Sequence, residues 1–438
     1  MSQNYFKLTS LLLICVHTLS YGQDESEHIQ LVNTGLFSVR PETILSTQLD
    51  FTNTASGTFV NDGSVYYYKD FTNDGYYGIS SSMKSSSTFF ILSNSTQAKR
   101  ITGNSLASFY NIEFDSELNG NAFDLKNNID ISGLAHFKNG IVKVDPTKNA
   151  ITSVSNGMVT FLAGARHENV GNHSYIEGAV EKKGNDRFEY PIGHKEYFRP
   201  AVISAPDDVL ATIVGQYYLE DAPFFTAHKK TTGVIKVLNE KEYWRLEGNL
   251  KQPNMVVLSL DWNEETTPPE LLKNPEEELH IVRWDAKQQL WVDEGGVVDM
   301  SLKRVTTVAE IKDFGYFTLA TVKKDWIIEG DVVIYNLVTP DGDGKNDYFI
   351  IDNINKYPNN RVEIYNRWGV KVYETTGYDP KGDGSTNVFR GYSDGKITVD
   401  KKKKLPSGTY YYVVTYEYKD ANGNRMIKKA ANLHVETN

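Results

Sequence analysis

The sequence is poor in cysteine and in long apolar runs, and both shortages limit what the chain can be. It contains one cysteine in 438 residues, Cys15, so a scaffold held together by disulfide bonds is excluded. The apolar run Leu11–Val16 is far shorter than the roughly 17–25 residues that a membrane-spanning helix needs, and no later stretch reaches that length. The sequence therefore predicts a protein without a transmembrane span.

Positive charge is also in deficit. The chain has 46 Lys and Arg residues against 56 Asp and Glu, which gives a formal net charge of -10. Nucleic acids and anionic membranes are polyanions that attract clustered Lys and Arg, so we expect no nucleic-acid partner. The basic run Lys401–Lys404 is typical of a solvated loop, with a lipid or polyanion role as the alternative.

Catalytic signatures are missing as well. The sequence has no His-Glu-x-x-His zinc motif, no Gly-x-Ser-x-Gly elbow and no phosphate-binding loop. Paired carboxylates for glycosidic cleavage have a separation that is set by the fold, and among 56 acidic residues no pair stands out. We therefore expect a protein that is not an enzyme.

Residues 1–22 have the features of a secretory signal peptide. Lys7 precedes the apolar run, and small residues follow before Gln23, which predicts cleavage after residue 22. Lipid attachment at Cys15 is the alternative, but Ile14 stands where such sites usually have a small residue. Cleavage would leave an exported mature chain without any cysteine.

Aromatic residues and glycine are abundant. Aromatics make up 12% of the chain, with 27 Tyr, and there are 33 Gly, a composition that favours strands and tight turns and predicts an all-β protein. Within residues 23–166, a Phe-x-Asn pattern occurs at Phe51–Asn53, Phe59–Asn61 and Phe71–Asn73. The outer two are 20 residues apart, which suits one coil of a β-solenoid. An irregular β-sandwich is the alternative.

The tyrosine runs of this region allow two interpretations. Tyr66–Tyr68 and Tyr76–Tyr77 could pack in the strand core or stack on sugars, and we expect packing.

Residues 167–323 have longer strands and four of the six tryptophans, which predicts a β-sandwich. His280–Trp284 and Leu290–Val292 should form a hairpin. The segment Thr266–Glu278 is rich in Pro and Glu and predicts a solvated loop with at most one helical turn.

Residues 324–438 predict a third β domain of sandwich size. Val362–Tyr365 and Val370–Tyr373 flank a short turn and should form a hairpin. In Thr409–Tyr418, aromatic and apolar residues alternate with polar ones, which indicates a half-buried strand with an aromatic core face.

An acidic loop in this domain suggests a calcium site. Asp341, Asp343 and Asp347 occupy positions one, three and seven of a Gly-rich turn, where their oxygens could converge on a hard cation. Lys345 at position five and Asp352 at position twelve depart from the usual calcium-loop pattern. The alternative is a turn capped by its own side chains. Calcium is the one cofactor that the sequence suggests.

Four motifs of the C-terminal region occur together and in a fixed order: Asn336–Phe349, Tyr357–Asn360, Val362–Gly369 and Leu405–Tyr412. With these motifs, residues 331–438 resemble the gliding-motility-associated C-terminal domain, the type B sorting domain of the Bacteroidetes type IX secretion system. The resemblance implies an Ig-like β-sandwich that directs the protein through the outer membrane, to be held at the surface or released.

The resemblance also implies two partners, the type IX translocon and an outer-membrane barrel protein. We predict that they recognise exposed turns of the domain. The candidate residues are Asp341, Gly342, Asp343, Gly344, Asn346, Asp347, Asn366, Arg367, Trp368, Gly369, Gly408, Thr409 and Tyr410.

Two classes of function are compatible with this organisation. The first is a non-enzymatic surface protein whose N-terminal β domains serve adhesion, gliding motility or envelope assembly, with surface glycans or other envelope proteins as partners. The alternative is an exported protein that binds or degrades polysaccharides.

Overall fold

The computed structural model describes residues 29–80, 85–145, 157–248, 256–311, 313–323, 332–393, 404–420 and 423–437. The predicted signal peptide and Lys401–Lys403 lie outside these ranges. The described chain is all-β, as predicted, with only short helical turns. No helix within these ranges combines the length and apolarity that crossing a bilayer would require.

A β-solenoid of about 6 turns forms the N-terminal region, which confirms the solenoid prediction. Its strands are β1 (Gln30–Asn33), β2 (Leu36–Val39), β3 (Ile44–Thr47), β4 (Asp50–Asn53), β5 (Thr58–Asn61), β6 (Ser64–Tyr67), β7 (Phe71–Asn73), β8 (Tyr76–Gly78), β9 (Ser87–Leu92), β10 (Lys99–Thr102), β11 (Ala107–Phe109), β12 (Asn111–Ser116), β13 (Asn121–Leu125), β14 (Asn128–Ile131), β15 (Leu134–Phe137), β16 (Ile141–Val144), β17 (Met158–Phe161), β18 (Arg166–Glu168), β19 (Ile176–Glu177) and β20 (Val180–Lys183).

Each turn contributes one strand to each of three parallel sheets. The first sheet has the order β1-β4-β7-β10-β13-β16-β19. The second begins β2-β5-β8-β11-β14-β17-β20, and the third is β18-β15-β12-β9-β6-β3. Along each strand, inward side chains alternate with outward ones, and the inward set forms one continuous apolar core.

The Phe-x-Asn repeat marks adjacent coils. Phe51 and Asn53 of β4 pair in register with Phe71 and Asn73 of β7. The Phe rings stack with centroids 5.5 Å apart, and the Asn53 Nδ2 donates to Asn73 Oδ1 at 2.8 Å. Asn33 donates to Asn53 in the same way at 2.9 Å. A buried amide ladder therefore fixes the register, because a slip would leave these polar groups without partners.

Glycines permit the tight corners between strands. A Cβ on Gly75 would lie 2.3 Å from the carbonyl oxygens of Gly57 and Thr54 in the neighbouring coil. Gly103 has a φ of +125°, and a Cβ there would lie 2.0 Å from the Asn73 carbonyl oxygen. Stacked coils approach too closely at these corners for any side chain.

The middle region extends the solenoid. Its elements are β21 (Phe188–Glu189), β22 (Gly193–His194), β23 (Tyr197–Phe198), β24 (Ala201–Ile203), β25 (Thr212–Leu219), α1 (Ala222–Ala227), β26 (Ile235–Leu238), β27 (Glu242–Gly248), β28 (Leu258–Asp261), a 3₁₀ turn (Pro269–Leu272), α2 (Pro275–Glu278), β29 (Leu279–Asp285), β30 (Leu290–Gly295), β31 (Val297–Asp299), β32 (Arg304–Thr306) and β33 (Gly315–Val322).

The second solenoid sheet continues without a break into this region, in the order β20-β25-β27-β33-β29-β30, with β26 also on β33. A separate sheet, β21-β24-β28-β32-β31, forms the other layer. The predicted hairpin is present, with Trp284 of β29 opposite Trp291 of β30. The two layers share the core of the solenoid.

Two features differ from the sequence prediction. Solenoid strand β18 begins at residue 166, and β19 and β20 lie beyond it, so the coil continues to Lys183, past the predicted boundary. The segment Thr266–Glu278 is not a simple solvated loop, because it has two short helical turns and buries Leu271 in the core. Thr267 is also buried and donates to a buried glutamate, Glu242, at 2.6 Å. These tertiary contacts hold the segment against the sandwich.

The C-terminal domain has the strands β34 (Val333–Ile334), β35 (Leu337–Val338), β36 (Ile351–Asp352), β37 (Asn360–Tyr365), β38 (Lys371–Thr376), β39 (Gly408–Asp420) and β40 (Gly423–Val435), with a 3₁₀ turn (Ile354–Lys356). One sheet has the order β35-β40-β39-β37-β38, and β34 pairs with β36. The predicted hairpin is formed by β37 and β38. Tyr410, Tyr412, Val414 and Tyr416 of β39 are buried on one face, as predicted.

The other face of β39 lies against the middle region. Val413 and Tyr365 pack with Val308 and Ala309 in a small apolar cluster. Beside it, the Lys428 Nζ donates to Glu294 Oε2 at 2.6 Å, and the Arg283 Nε donates to Glu294 Oε1 at 2.9 Å. The C-terminal domain thus docks through side chains rather than through a shared sheet.

A buried lysine lies inside the solenoid. Lys99 is 2% exposed, and its Nζ donates to the carbonyl oxygens of Tyr67 at 2.5 Å and Ile91 at 2.6 Å. Burial lowers the pKa of Lys99 to about 7, and nearby Asp70 opposes this shift only in part. The unfolded chain therefore binds a proton more tightly than the folded chain does.

We expect the stability of the protein relative to a Lys99→Met variant to rise by about 3 kcal/mol between pH 7 and about pH 9.5. In this window the unfolded lysine is protonated and the folded one is increasingly neutral, so the penalty of burying charge is progressively removed. Thermal unfolding of both proteins across this range measures the difference.

Lys138→Met is the matched control. Its exposed amine donates to Asp115, which raises the pKa of Lys138, so its contribution is fully present below the unfolded pKa and should stay constant over this window. A stability difference for Lys99→Met that is equally constant would contradict the prediction.

Candidate recognition site at one end of the C-terminal sheet

Three sequence-predicted segments meet at one end of the five-stranded sheet. Val435 of β40 pairs with both Val338 of β35 and Gly408 of β39. Tyr365, the last residue of β37, pairs with Tyr411 of β39. The loops that follow β35 and β37 therefore lie at the same end as the first residues of β39. We call this end of the domain, formed by residues 339–347, 366–369 and 404–410, the recognition end.

The acidic loop brings its three carboxylates together. Oxygens of Asp341, Asp343 and Asp347 all lie within 4.8 Å of one another. Asp347 accepts the backbone N–H groups of Gly342 at 2.6 Å and Gly344 at 2.8 Å, one on each oxygen. Asp341 and Asp343 are exposed and Asp347 is half-buried, so water partly screens the mutual repulsion of the three charges.

The remaining loop contacts are local. The Asp343 N–H donates to Asp341 at 3.1 Å, and the Lys345 N–H donates to Asp343 at 2.7 Å. Asn346 has a φ of 53°, and its carbonyl accepts the Thr339 N–H at 2.8 Å. The turn therefore has features of both sequence interpretations. Its side chains cap its own backbone, as in a simple Asp-Gly turn, and its three carboxylates converge, as in a calcium loop.

The hairpin turn presents an exposed tryptophan. The Asn366 Oδ1 accepts the N–H groups of Trp368 and Val370, both at 3.0 Å. Trp368 is 71% exposed, and the Arg367 guanidinium lies 4.2 Å from its ring centroid. Gly369 has a φ of +76° and faces the middle region. A rigid turn that exposes Trp and Arg carries the residue types most enriched among energetically dominant interface contacts.

The third segment contributes less surface than the sequence suggested. Thr409 is exposed and Gly408 half-buried, but Tyr410 is buried and its hydroxyl donates to the Pro406 carbonyl at 2.9 Å. The Tyr410 side chain therefore supports the recognition end from within the core.

Two residues that the sequence analysis missed hold the recognition end together. The Lys404 Nζ donates to the Pro340 carbonyl at 2.5 Å, which ties the segment before β39 to the acidic loop. Thr437 exchanges hydrogen bonds with Ser407 at 2.8 and 3.0 Å. Lys404 was visible only as part of a basic run, and no spacing signal connects it to residue 340.

A buried charge cluster lies elsewhere, in the middle region. Arg199 and Glu242 are 1% and 0% exposed, and the Arg199 Nε donates to Glu242 Oε2 at 3.0 Å. Tyr217 donates to the same oxygen at 2.7 Å, and Thr267 and Asn239 donate to Oε1 at 2.6 and 3.0 Å. Both carboxylate oxygens are saturated and closed to solvent, so this cluster has the form of a structural ion pair.

Two opposing effects set the protonation of Glu242. Burial raises its pKa, but the Arg199 charge and the surrounding donors outweigh burial, so the pKa of Glu242 is lowered overall. The Arg199 guanidinium also lies 5.2 Å from the Trp244 ring centroid. The pair is therefore charged although buried, with the Tyr217 and Trp244 rings beside the guanidinium.

We expect Glu242→Gln to destabilise the protein by about 3–5 kcal/mol, because the substitution leaves Arg199 buried and uncompensated. Thermal and denaturant unfolding measure the loss. The matched control is Glu247→Gln in the same strand, where Glu247 pairs with Arg245 at the surface and is 55% exposed. That change should cost less than about 1 kcal/mol; equal losses in both variants would show that the buried pair has no special weight.

Comparison with known families identifies the C-terminal domain. Residues 332–430 match the family model described as the CHU_C Type IX secretion signal domain. The chain has no match among curated proteins or among solved structures. The match confirms the sorting-domain assignment that the sequence motifs suggested. The chain is therefore an exported cargo of the type IX secretion system, carried across the outer membrane to the surface or the extracellular space.

Proposed function

We propose, with export by the type IX system as the premise, that the solenoid and the middle β region form a non-enzymatic body displayed outside the cell. This body would serve adhesion, gliding motility or assembly with other envelope proteins. The observation that carries the proposal is the continuous sheet from solenoid to sandwich, which supports a stiff body with long outward faces.

The outer face of the first solenoid sheet supports this role. It carries charges of alternating sign in successive coils: Asp70, Arg100, Asp124, Lys143 and Glu177. The Arg100–Asp70 contact is 2.6 Å and the Lys143–Glu177 contact is 3.8 Å. A row of exposed charges that partner one another is typical of a solvated structural face.

One cleft of the described chain is also consistent with this role. The cleft of about 740 Å³ between the middle region and the C-terminal domain is lined by charged residues, several of which already pair with one another. Arg283, Glu294 and Lys428 form one such set, with contacts of 2.9 and 2.6 Å. Their pairing across the boundary between the two regions supports a role for this set in docking.

The carbohydrate alternative rests on aromatic side chains of the third sheet. Tyr67 and Tyr77 are buried, in agreement with the packing interpretation. Tyr66 and Phe89 point outward, and Tyr76 of the second sheet is 56% exposed, so packing does not hold for the whole of the tyrosine runs. The Tyr66 and Phe89 rings stack on each other with centroids 4.2 Å apart and planes 4° apart. Because the rings cover each other, this pair offers less free ring face for a sugar than two separate rings would.

A glycan array and a reducing-sugar assay on the mature chain separate the two functions. We expect no release of reducing sugar from any polymer. Turnover would overturn the non-enzymatic proposal, and glycan binding that Tyr66→Ala abolishes would favour the carbohydrate-binding alternative.

We further propose that the type IX translocon or its outer-membrane barrel partner contacts the recognition end through the turn of Arg367 and Trp368. The exposed Trp ring offers apolar area, and the Asn366 side chain fixes the turn that presents it. Contact there would let the machinery recognise the folded domain by its shape.

We expect Trp368→Ser to reduce surface or medium exposure of the protein by about tenfold in the native host, equivalent to about 1.4 kcal/mol of lost binding. Truncation after Lys323 should trap the protein in the periplasm. A tag in the exposed turn between β29 and β30, at Lys287, reports surface, medium and periplasmic pools.

Tyr335→Ser is the matched control, since Tyr335 is an exposed aromatic of the same domain outside the recognition end. It should export normally. Protease resistance of each trapped protein distinguishes failed recognition from failed folding. Export of the truncated chain would overturn the sorting role of the C-terminal domain. Normal export of Trp368→Ser would show that the Arg367–Trp368 turn is not needed for recognition.

Calcium binding by the acidic loop is a separate proposal. Three carboxylates within 4.8 Å would lose their mutual repulsion on binding a divalent cation. We expect millimolar calcium to raise the unfolding temperature of the mature chain relative to chelator, and Asp343→Asn to abolish the increase. Asp383→Asn, in a second exposed Gly-rich turn, is the control. An unchanged unfolding temperature would leave the loop as a self-capped turn.

A further inference from the structure

The first coil of the solenoid is unusually apolar on its outside. In all three sheets an exposed apolar residue in the first coil aligns with a hydroxyl residue in the second, and the register pairs are Val32 with Thr52, Leu36 with Thr58 and Ile44 with Ser64. The three apolar side chains are 45%, 79% and 70% exposed. An apolar rim around an entire end is a feature of surfaces that another protein covers.

Among the residues that the structure describes, no strand pairs with the outer edges of this coil. β1, β2 and β3 each lie at the edge of their sheet. None of their twelve residues is charged, although natural edge strands usually carry charges or proline that prevent pairing. The inward residues Leu31, Phe37 and Leu45 are only partly buried, so the core is open here.

The opposite end of the solenoid is closed. β20 pairs with β25, and the core continues into the middle region. Head-to-tail stacking of two copies is therefore blocked. A contact between two open ends is isologous and closes after two subunits.

We propose that the open end of the solenoid, residues 29–49, pairs with the open end of a second copy of this chain. A two-fold axis perpendicular to the solenoid axis reverses strand direction, so the edge strands of the two copies would meet in antiparallel pairs. The paired ends would cover Leu31, Phe37 and Leu45 and the apolar rim. This inference does not depend on the proposed adhesive function.

Size and charge both fit a second copy. The 21 residues of the first coil match the roughly 20–30 residues per partner in a stable interface. Because the edge strands carry no charged residue, no like charges would face one another along the paired edges of the two copies. The recognition end lies on the C-terminal domain, so pairing of the solenoids leaves the sorting surface free.

Light scattering coupled to size-exclusion chromatography on the mature chain tests the proposal. We expect twice the mass of one chain, falling to the mass of one chain in Leu36→Lys/Ile44→Lys. The matched control Thr58→Lys/Ser64→Lys adds the same charge one coil further in and should remain a dimer or weaken by less. Circular dichroism and thermal unfolding verify that both variants fold.

Cross-linking locates the contact, because residues 23–438 contain no cysteine. Single cysteines at Val32, Leu36 and Ile44 are treated with a short bismaleimide, and at least one should give a covalent dimer. Asn121→Cys, an exposed position several coils away, should give none.

A mature chain that is monomeric at about 100 μM, well above typical dimer Kd values, would overturn the proposal. So would a dimer that persists in Leu36→Lys/Ile44→Lys, or assemblies larger than a dimer. Cross-linking that occurs only at Asn121→Cys would also overturn it. A monomer that dimerises once residues 23–28 are removed would also overturn it, since the chain's own segment would then cover the end.

Discussion

The rest of the structure depends on one hydrogen-bonded junction, the pairing of β20 with β25. β20 is parallel to β17 on one side and antiparallel to β25 on the other, so a solenoid sheet becomes a sandwich sheet without interruption. Lys182 is buried at this junction, and its Nζ donates to the Leu162 carbonyl and to Asp186 at 2.9 and 2.7 Å. Because bending there would break ladder bonds and expose a satisfied cation, the solenoid and sandwich act as one body.

The C-terminal domain is attached by a different kind of contact. Its interface has a small apolar cluster around Val413 and an ion pair between Lys428 and Glu294, and none of the described strands pairs across it. Such contacts resemble those between transiently associated proteins and cost far less to separate than a continuous ladder. A sorting domain joined in this way can fold and be recognised as a unit. Its separation would break no strand pairing in the solenoid or the middle region.

The sequence predicted what repeats locally and missed what depends on distant pairing. The Phe51–Asn53 and Phe71–Asn73 motifs are visible because one coil places the same residues in register 20 positions later. The β20–β25 junction joins unlike segments, and no periodicity marks it. The acidic loop and the Trp368 turn were identified from motifs, but their meeting at one end follows from the strand order β35-β40-β39-β37-β38, which spacing does not encode. The burial of Tyr410 likewise follows from the tertiary arrangement of these strands, which spacing does not encode.

The two ends of the solenoid also differ in how well their terminal coils are stabilised. In a repeat array each coil is stabilised mainly by its neighbours, so a terminal coil with one neighbour is the least stable. Phe37 illustrates this: it stacks on Phe59 at 5.1 Å, whereas Phe59 stacks on both Phe37 and Tyr77. At the far end the sandwich supplies the missing neighbour through β25. At the near end the exposed rim of Leu36 and Ile44 increases the apolar area that water must hydrate. The first coil combines an uncharged edge, an incomplete core and an apolar rim. A further layer of strands packed on this coil would pair the edge, complete the core and cover the rim.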